Sequence, residues 1–184
     1  EDETAVATTN LSAQLSENIF LNAGAAFKKL KSHNSQQLLD LLGGSCFEDI
    51  DAFYNGDQSQ SDLNNPDRQV GVGDTYGYNY NYFATTLEAF TQFKFTYNKV
   101  DFYLAQHFAR ADYQREGLYK NGIYATNSFG KSEKVVFENF GFKAGFNLKI
   151  SGKQLVTFNA AHLTKAPSLR NTFANSRLNN SIVN

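Results

Sequence analysis

The chain has 184 residues and a formal charge of −1, which gives no electrostatic reason to expect nucleic acid or an anionic lipid surface as a partner. Seventeen Phe and ten Tyr stand against two Pro, no Trp and no Met, a composition suited to long uninterrupted strands. A single cysteine, Cys46, excludes an internal disulfide and any multi-cysteine metal site, and no stretch approaches the ~18 apolar residues of a membrane helix.

The chain opens on Glu1 with no basic-then-apolar signal segment, so it reads as an excised or processed piece. Its first predicted strand is Thr4–Leu15, where Ala5, Ala7, Leu11, Ala13 and Leu15 alternate with polar Thr8, Asn10, Ser12 and Gln14. A period of two means a strand with one apolar and one polar face. The second, Ile19–Lys29, puts Ile19, Leu21, Ala23, Ala25 and Phe27 on one face. Leu15 and Ile19 share a face across Ser16-Glu17-Asn18, which calls for a three-residue loop.

A long connection then runs to Asn79. Within it Gln36–Leu42 suits a short helical turn ending at Gly43-Gly44, and Asn55–Asp67 is polar enough to be a surface excursion. The third strand, Asn79–Tyr97, sets Phe83, Leu87, Ala89, Phe93, Phe95 and Tyr97 opposite Glu88, Gln92, Lys94 and Thr96. Tyr76, Tyr78, Tyr80 and Tyr82 recur every second residue at its start and so share a face. They form either an aromatic girdle or loop base, or the lining of a mouth where a ligand enters. Their even parity points them away from the apolar face, inward.

Asn98-Lys99 fits a two-residue turn, with Asn98 supplying positive φ. The fourth strand, Val100–Tyr113, gives Val100, Phe102, Leu104 and Phe108 opposite Asp101, Tyr103 and His107. Residues 114–136 form a second long connection. Phe137–Ile150 is the fifth strand, and from Phe140 to Ile150 every even position is apolar. Soluble strands run about five or six residues, whereas a strand crossing an outer membrane needs about 9–11. Ser151-Gly152-Lys153 is a three-residue loop in which Gly152 takes the left-handed position. Gln154–Thr164 is the sixth strand, with Val156, Phe158 and Ala160 apolar. Tight turns alternating with long connections are the signature of an outer-membrane barrel, whose long loops are extracellular.

Chemistry-bearing patterns are sparse. Cys46 in L-L-G-G-S-C follows no basic stretch and is a loop thiol rather than a lipidation site. Glu48, Asp49, Asp51 and Asp57 crowd one loop without the ligand order of a calcium-binding hand. Gly71-Val72-Gly73 begins like a dinucleotide loop but carries Tyr76 at the third glycine position and leads into a strand. His33, His107 and His162 are scattered, Asp112 and Glu116 form no acid/base pair, and no serine sits in a nucleophile elbow. The expectation is no enzyme, no cofactor and no metal.

Several motifs, in order, resemble the TonB-dependent outer-membrane receptors of the Bacteroidota type. They are L-L-G-G-S-C-F-E-D-I-D-A-F (Leu41–Phe53), N-P-D-R, G-D-T-Y-G-Y-N-Y, Y-Q-R-E-G (Tyr113–Gly117), N-S-F-G-K-S (Asn127–Ser132), G-F-K-A-G-F (Gly141–Phe146), K-A-P-S (Lys165–Ser168) and N-x-F-A-N-S-R-L-N-N (Asn171–Asn180). The resemblance implies a 22-stranded barrel with a plugged lumen, of which six strands would be about a quarter. Residues 1–184 would then be a partial barrel with no plug domain, an antiparallel meander of six long strands in a bacterial outer membrane. The implied function is active nutrient uptake, with outer-membrane lipid as surroundings, a nutrient ligand, and a TonB complex engaged through other parts of the protein. A surface lipoprotein is a further candidate partner. Candidate ligand-binding residues are Tyr78, Tyr80, Tyr82, Arg115 and Arg177. Two other readings compete: a passive porin or adhesin-like barrel, and a soluble β-rich carbohydrate-binding module whose tyrosines stack on sugars.

Overall fold

A computed structural model of the chain describes residues 1–183. The fold is all-β. In chain order it contains β1 (Asp2–Ser16), β2 (Ile19–Gln37), β3 (Phe47–Glu48), β4 (Gln69–Val70), β5 (Thr75–Thr96), β6 (Val100–Gly117), β7 (Gly130–Lys131), β8 (Val135–Ser151) and β9 (Gln154–Leu163). One antiparallel sheet runs β1-β2-β5-β6-β8-β9, with the short β7 also paired to β6, while β3 and β4 pair only with each other. This sheet is open, and β1 and β9 are its edges.

All six predicted strands are present, and several run further than the alternation. β2 continues to Gln37 and β5 begins at Thr75, the extensions pairing with each other from Ser35↔Asn79 to Gln37↔Thr75. Gln36–Leu42 is therefore not helical. Its first two residues continue β2, where backbone pairing with β5 satisfies N–H and C=O groups that a lone helical turn would leave open. Asn55–Asp67 is a surface excursion only in part: residues 55–58 and 64–67 are exposed. It contains a 3-10 turn at Gly56–Ser59, and Ser59, Gln60, Ser61 and Asp62 are buried under the second long connection.

The tight turns differ in detail from their sequence-based expectation. Ser16 pairs with Ile19 and Ser151 with Gln154, so both loops hold two residues, with register shifts between Gln14 and Ser16 and between Lys149 and Ser151. A bulge absorbs the extra residue that face parity demands, in place of a longer loop. Asn98 and Gly152 do not take positive φ; outside glycine, only Leu42 and Asp67 do so among the described residues. At Asn98-Lys99 the Tyr97 N–H donates to the Val100 carbonyl (3.0 Å), while the Tyr97 carbonyl accepts from Lys149 Nζ (3.3 Å).

Register fixes the faces, because directly paired residues share one. Rows cross the sheet as Ile19–Phe95–Phe102–Phe146–Phe158, then Leu21–Phe93–Leu104–Ala144–Ala160, then Ala25–Ala89–Phe108–Phe140. The apolar positions of all six strands thus merge into one band on one face. That band is open to the surroundings: Leu104, Phe140, Phe142 and Phe158 are each more than half exposed. Aromatic rings lie in rows at two levels of it, Phe95 stacked on Phe102 (4.4 Å) with Phe146 beside Phe158 (5.7 Å), and Phe108 against Phe140 (5.2 Å). One step beyond Phe108, Arg110 pairs with Asp112 (3.2 Å) and Glu138 (3.3 Å) on the same face. The greasy band ends in charge there.

The opposite face is mixed. Tyr103 Oη donates to Asn159 (3.0 Å), His107 stands 3.8 Å from Glu88, and Lys149 pairs with Asp101 (2.9 Å). Where large side chains lie on this face, glycine lies beneath. A Cβ on Gly24 would come within 2.5 Å of the Phe90 ring, on Gly145 within 2.6 Å of Tyr103, and on Gly141 within 2.4 Å of Leu163. These glycines let side chains lie flat across the strands, which explains the glycines set between apolar residues in G-F-K-A-G-F.

Candidate functional site

The three tight turns gather at one end of the sheet and the long connections at the other. There the segments 38–74, 118–134 and 164–183 build one cap. Backbone bonds join them: Leu63 N–H to Lys120 O (2.7 Å), Gly122 N–H to Gln60 O (2.9 Å) and Asn180 N–H to Asn127 O (2.8 Å). Gly122 sits so close to Asp57 that a Cβ would lie 1.9 Å from its carbonyl oxygen, and one on Gly117 would lie 1.7 Å from Ser128 O. Only glycine admits these approaches.

One apolar cluster, Tyr80, Tyr82 and Phe173, lies between the sheet and segment 164–183, with Tyr78, Leu169 and Ile182 packed on it. Tyr78 lies tilted on Tyr80 (5.9 Å between centroids), Tyr80 meets Tyr82 edge to face (5.1 Å), and the ladder continues onto Phe173 (5.4 Å). Tyr76 does not join it. A register shift beside Gly77 (φ 69°) breaks the alternation, and Tyr76 packs edge-on against Phe47 (5.4 Å).

The five candidate ligand-binding residues therefore separate into two groups. Tyr80, Tyr82 and Arg115 are buried and meet the chain's own atoms. Arg115, 1 % exposed, donates to Ser176 O (2.7 Å), Ser128 O (3.1 Å), Arg177 O (3.3 Å) and Asn180 Oδ1, and lies over the Tyr80 ring (5.1 Å). Among the described residues no carboxylate joins it, so five neutral partners replace the water lost by the guanidinium. In this arrangement Tyr80, Tyr82 and Arg115 hold the cap down. Tyr78 is half-buried and Arg177 exposed, with the guanidinium 5.2 Å over the Tyr78 ring at the cap surface. Of the five, this pair alone is open to a ligand.

A second feature lies lower on the inner face. Segment 164–168 overhangs a pocket of about 650 Å³ whose walls include Glu88, His107, Tyr113, Asn139 and Leu163 above a floor of Ala109 and Ala111. Sequence spacing hid this group, since Glu88 and His107 belong to different strands. Their meeting was nevertheless implicit in the Asn98-Lys99 turn, which sets Glu88 opposite Ala109 and so diagonal to His107.

The acidic loop is engaged from within. Asp49 is buried, accepting from Arg68 and from the Gly77 N–H (2.8 Å), and Arg68 also donates to Thr75 O (2.6 Å) and lies over Tyr119 (4.8 Å). Burial opposes the charge on Arg68, but its hydrogen bond to Asp49 and the adjoining Tyr119 raise the guanidinium above its ordinary pKa. Among the described residues no group of three or more His, Cys, Asp or Glu side chains converges as a metal site. Cys46 is exposed in the loop.

Comparison with family models, with curated proteins and with solved structures finds no match to this chain.

Proposed function

We propose that this sheet is part of the wall of a transmembrane β-barrel in a bacterial outer membrane, of the TonB-dependent receptor class that its motifs resemble, and that it serves nutrient uptake. One observation carries the reading: the exposed apolar band that crosses all six long strands in register. Along β8 the band runs from Phe140 to Ile150, about 33 Å at strand rise, which a tilt near 40° brings to about 25 Å. That is the height of the lipid-facing belt of such barrels, and aromatic rows at two levels with a charged row beyond fit the same picture.

In this reading the cap faces the cell exterior. Tyr78 and Arg177 meet a nutrient at the mouth, and the Glu88–His107 pocket is the next polar surface down the inner wall. The wall and its loops capture and guide; the force for uptake enters elsewhere in the protein. No helix among the described residues is long and apolar enough to cross a membrane.

Topology provides the test. In a Cys46→Ser background, cysteines placed at exposed Asn64 or Thr126 should react with an impermeant thiol reagent on intact cells producing the full protein. Cysteines at Lys99 or Gly152 should react only once the outer membrane is opened. The reverse pattern would invert the orientation, and equal labelling at both ends of intact cells would remove the membrane reading.

A further inference from the structure

Register places Glu88, Ala109 and Asn139 in one row across the inner face, on β5, β6 and β8. Neighbouring strands lie about 4.8 Å apart, so Glu88 and Asn139 stand about 10 Å apart with only an alanine methyl between them. Both line the pocket under segment 164–168, where Ala111 adjoins Ala109 on the floor. Asn139 is 7 % exposed, and its side-chain amide has no hydrogen-bond partner among the described residues. A buried amide left in that state is costly unless a group from outside the chain completes it. Glu88 has no lysine or arginine within ion-pair distance among the described residues; its nearest basic neighbour is His107, at 3.8 Å.

We infer that this pocket binds the amino-terminal end of a short peptide, with its ammonium on Glu88, the next backbone amide on Asn139 and an apolar side chain over Ala109 and Ala111. The inference deepens the uptake reading above and rests on it. Two hydrogen bonds take up about 6 Å of the gap, leaving about 4 Å, the spacing of successive residues in a chain. An asparagine amide donates and accepts side by side, matching the C=O and N–H that one extended residue turns the same way. An anion would meet the Glu88 carboxylate. A bare amine would leave Asn139 unanswered. A sugar would turn hydroxyls toward Ala109, Ala111, Leu163, Ala166 and Pro167, whose side chains offer no hydrogen bond. Lys165 on the overhang is the other fixed charge in the lining, so a carboxylate farther along the peptide is not repelled. The volume of about 650 Å³ lies within the range of small-ligand sites.

The test is calorimetric titration of the full protein in detergent with leucyl-leucine, N-acetyl-leucyl-leucine and maltose. The parent should bind leucyl-leucine, bind the acetylated form at least about tenfold more weakly, and ignore maltose. Asn139→Ala and Glu88→Gln should each weaken leucyl-leucine at least about tenfold. Asn139→Ala removes no hydrogen bond of the fold, so its unfolding midpoint should match the parent's. Gln92→Ala, on the inner face outside this pocket, should bind as the parent does. Equal binding of the acetylated peptide would overturn the ammonium assignment. Leucyl-leucine binding unchanged in both pocket variants would overturn the site. Maltose binding that Asn139→Ala weakens would make this a sugar site and overturn the peptide class. A folded parent that binds none of the three would overturn the inference outright, while the cysteine labelling decides the membrane reading separately.

Discussion

Arg115→Leu should free the cap from the sheet while leaving the sheet intact. The Arg115 side chain ties β6 to Ser128, Ser176, Arg177 and Asn180, which belong to two different connections. Leucine fills part of the volume but leaves Ser128 O and Asn180 Oδ1 buried without this donor, about 1–3 kcal/mol for each acceptor so stranded. Arg115→Lys should recover little, since one ammonium cannot span the fork of acceptors that a guanidinium reaches. Hydrogen exchange reads this directly. Amides bonded within the cap, such as Asn180 N–H to Asn127 O and Ala174 N–H to Ser181 O, should lose protection, while β5–β6 amides around Phe93 and Leu104 keep theirs. Parental protection across residues 164–183 in the leucine variant would mean that the cap is held by something other than this side chain.

Leu104→Arg should cost about 2–4 kcal/mol when the protein is unfolded reversibly from lipid. Leu104 occupies the middle row of the outer band between Phe93 and Ala144, and 53 % of its surface is open. An arginine there must either strip its hydration in hydrocarbon or bend several residues away to reach an interface. Gln92→Arg places the same charge one residue from Phe93, at the same depth but on the inner face, and should cost far less. Equal penalties for the two would mean that the outer face does not meet lipid at this level.

What was legible in the sequence follows the parts of the fold that repeat. Alternation alone located six strands and their two faces, and shared parity across Asn98-Lys99 set the β5–β6 register, confirmed by Thr96↔Asp101 and Phe95↔Phe102. Parity was insufficient at the other two turns, because a bulge at Leu15 or Ile150 restores the same face as an added loop residue does. The cap was not legible. Its segments meet through backbone carbonyls, through glycines such as Gly122 that admit a neighbouring chain, and through one arginine whose farthest partner is 65 residues away. None of these leaves a periodic trace. Tyr80, Tyr82 and Arg115 stood out by residue type, which cannot distinguish a ring awaiting a ligand from a ring under Phe173. The Glu88–His107 pairing was recoverable from register, and the 164–168 segment that lines one side of the pocket was not.

Whether the apolar face lies in lipid is decided most directly by single cysteines at successive positions from Phe140 to Leu148, in a Cys46→Ser background of the full protein reconstituted into vesicles. Each is labelled with an environment-sensitive fluorophore and exposed to a quencher fixed on the lipid acyl chains. The expected result is quenching that alternates with period two. Labels at Phe140, Phe142, Ala144, Phe146 and Leu148 are strongly quenched, and those at Gly141, Lys143, Gly145 and Asn147 are reached instead by a water-soluble quencher. Uniform access of the water-soluble quencher to both sets would contradict a membrane-facing wall.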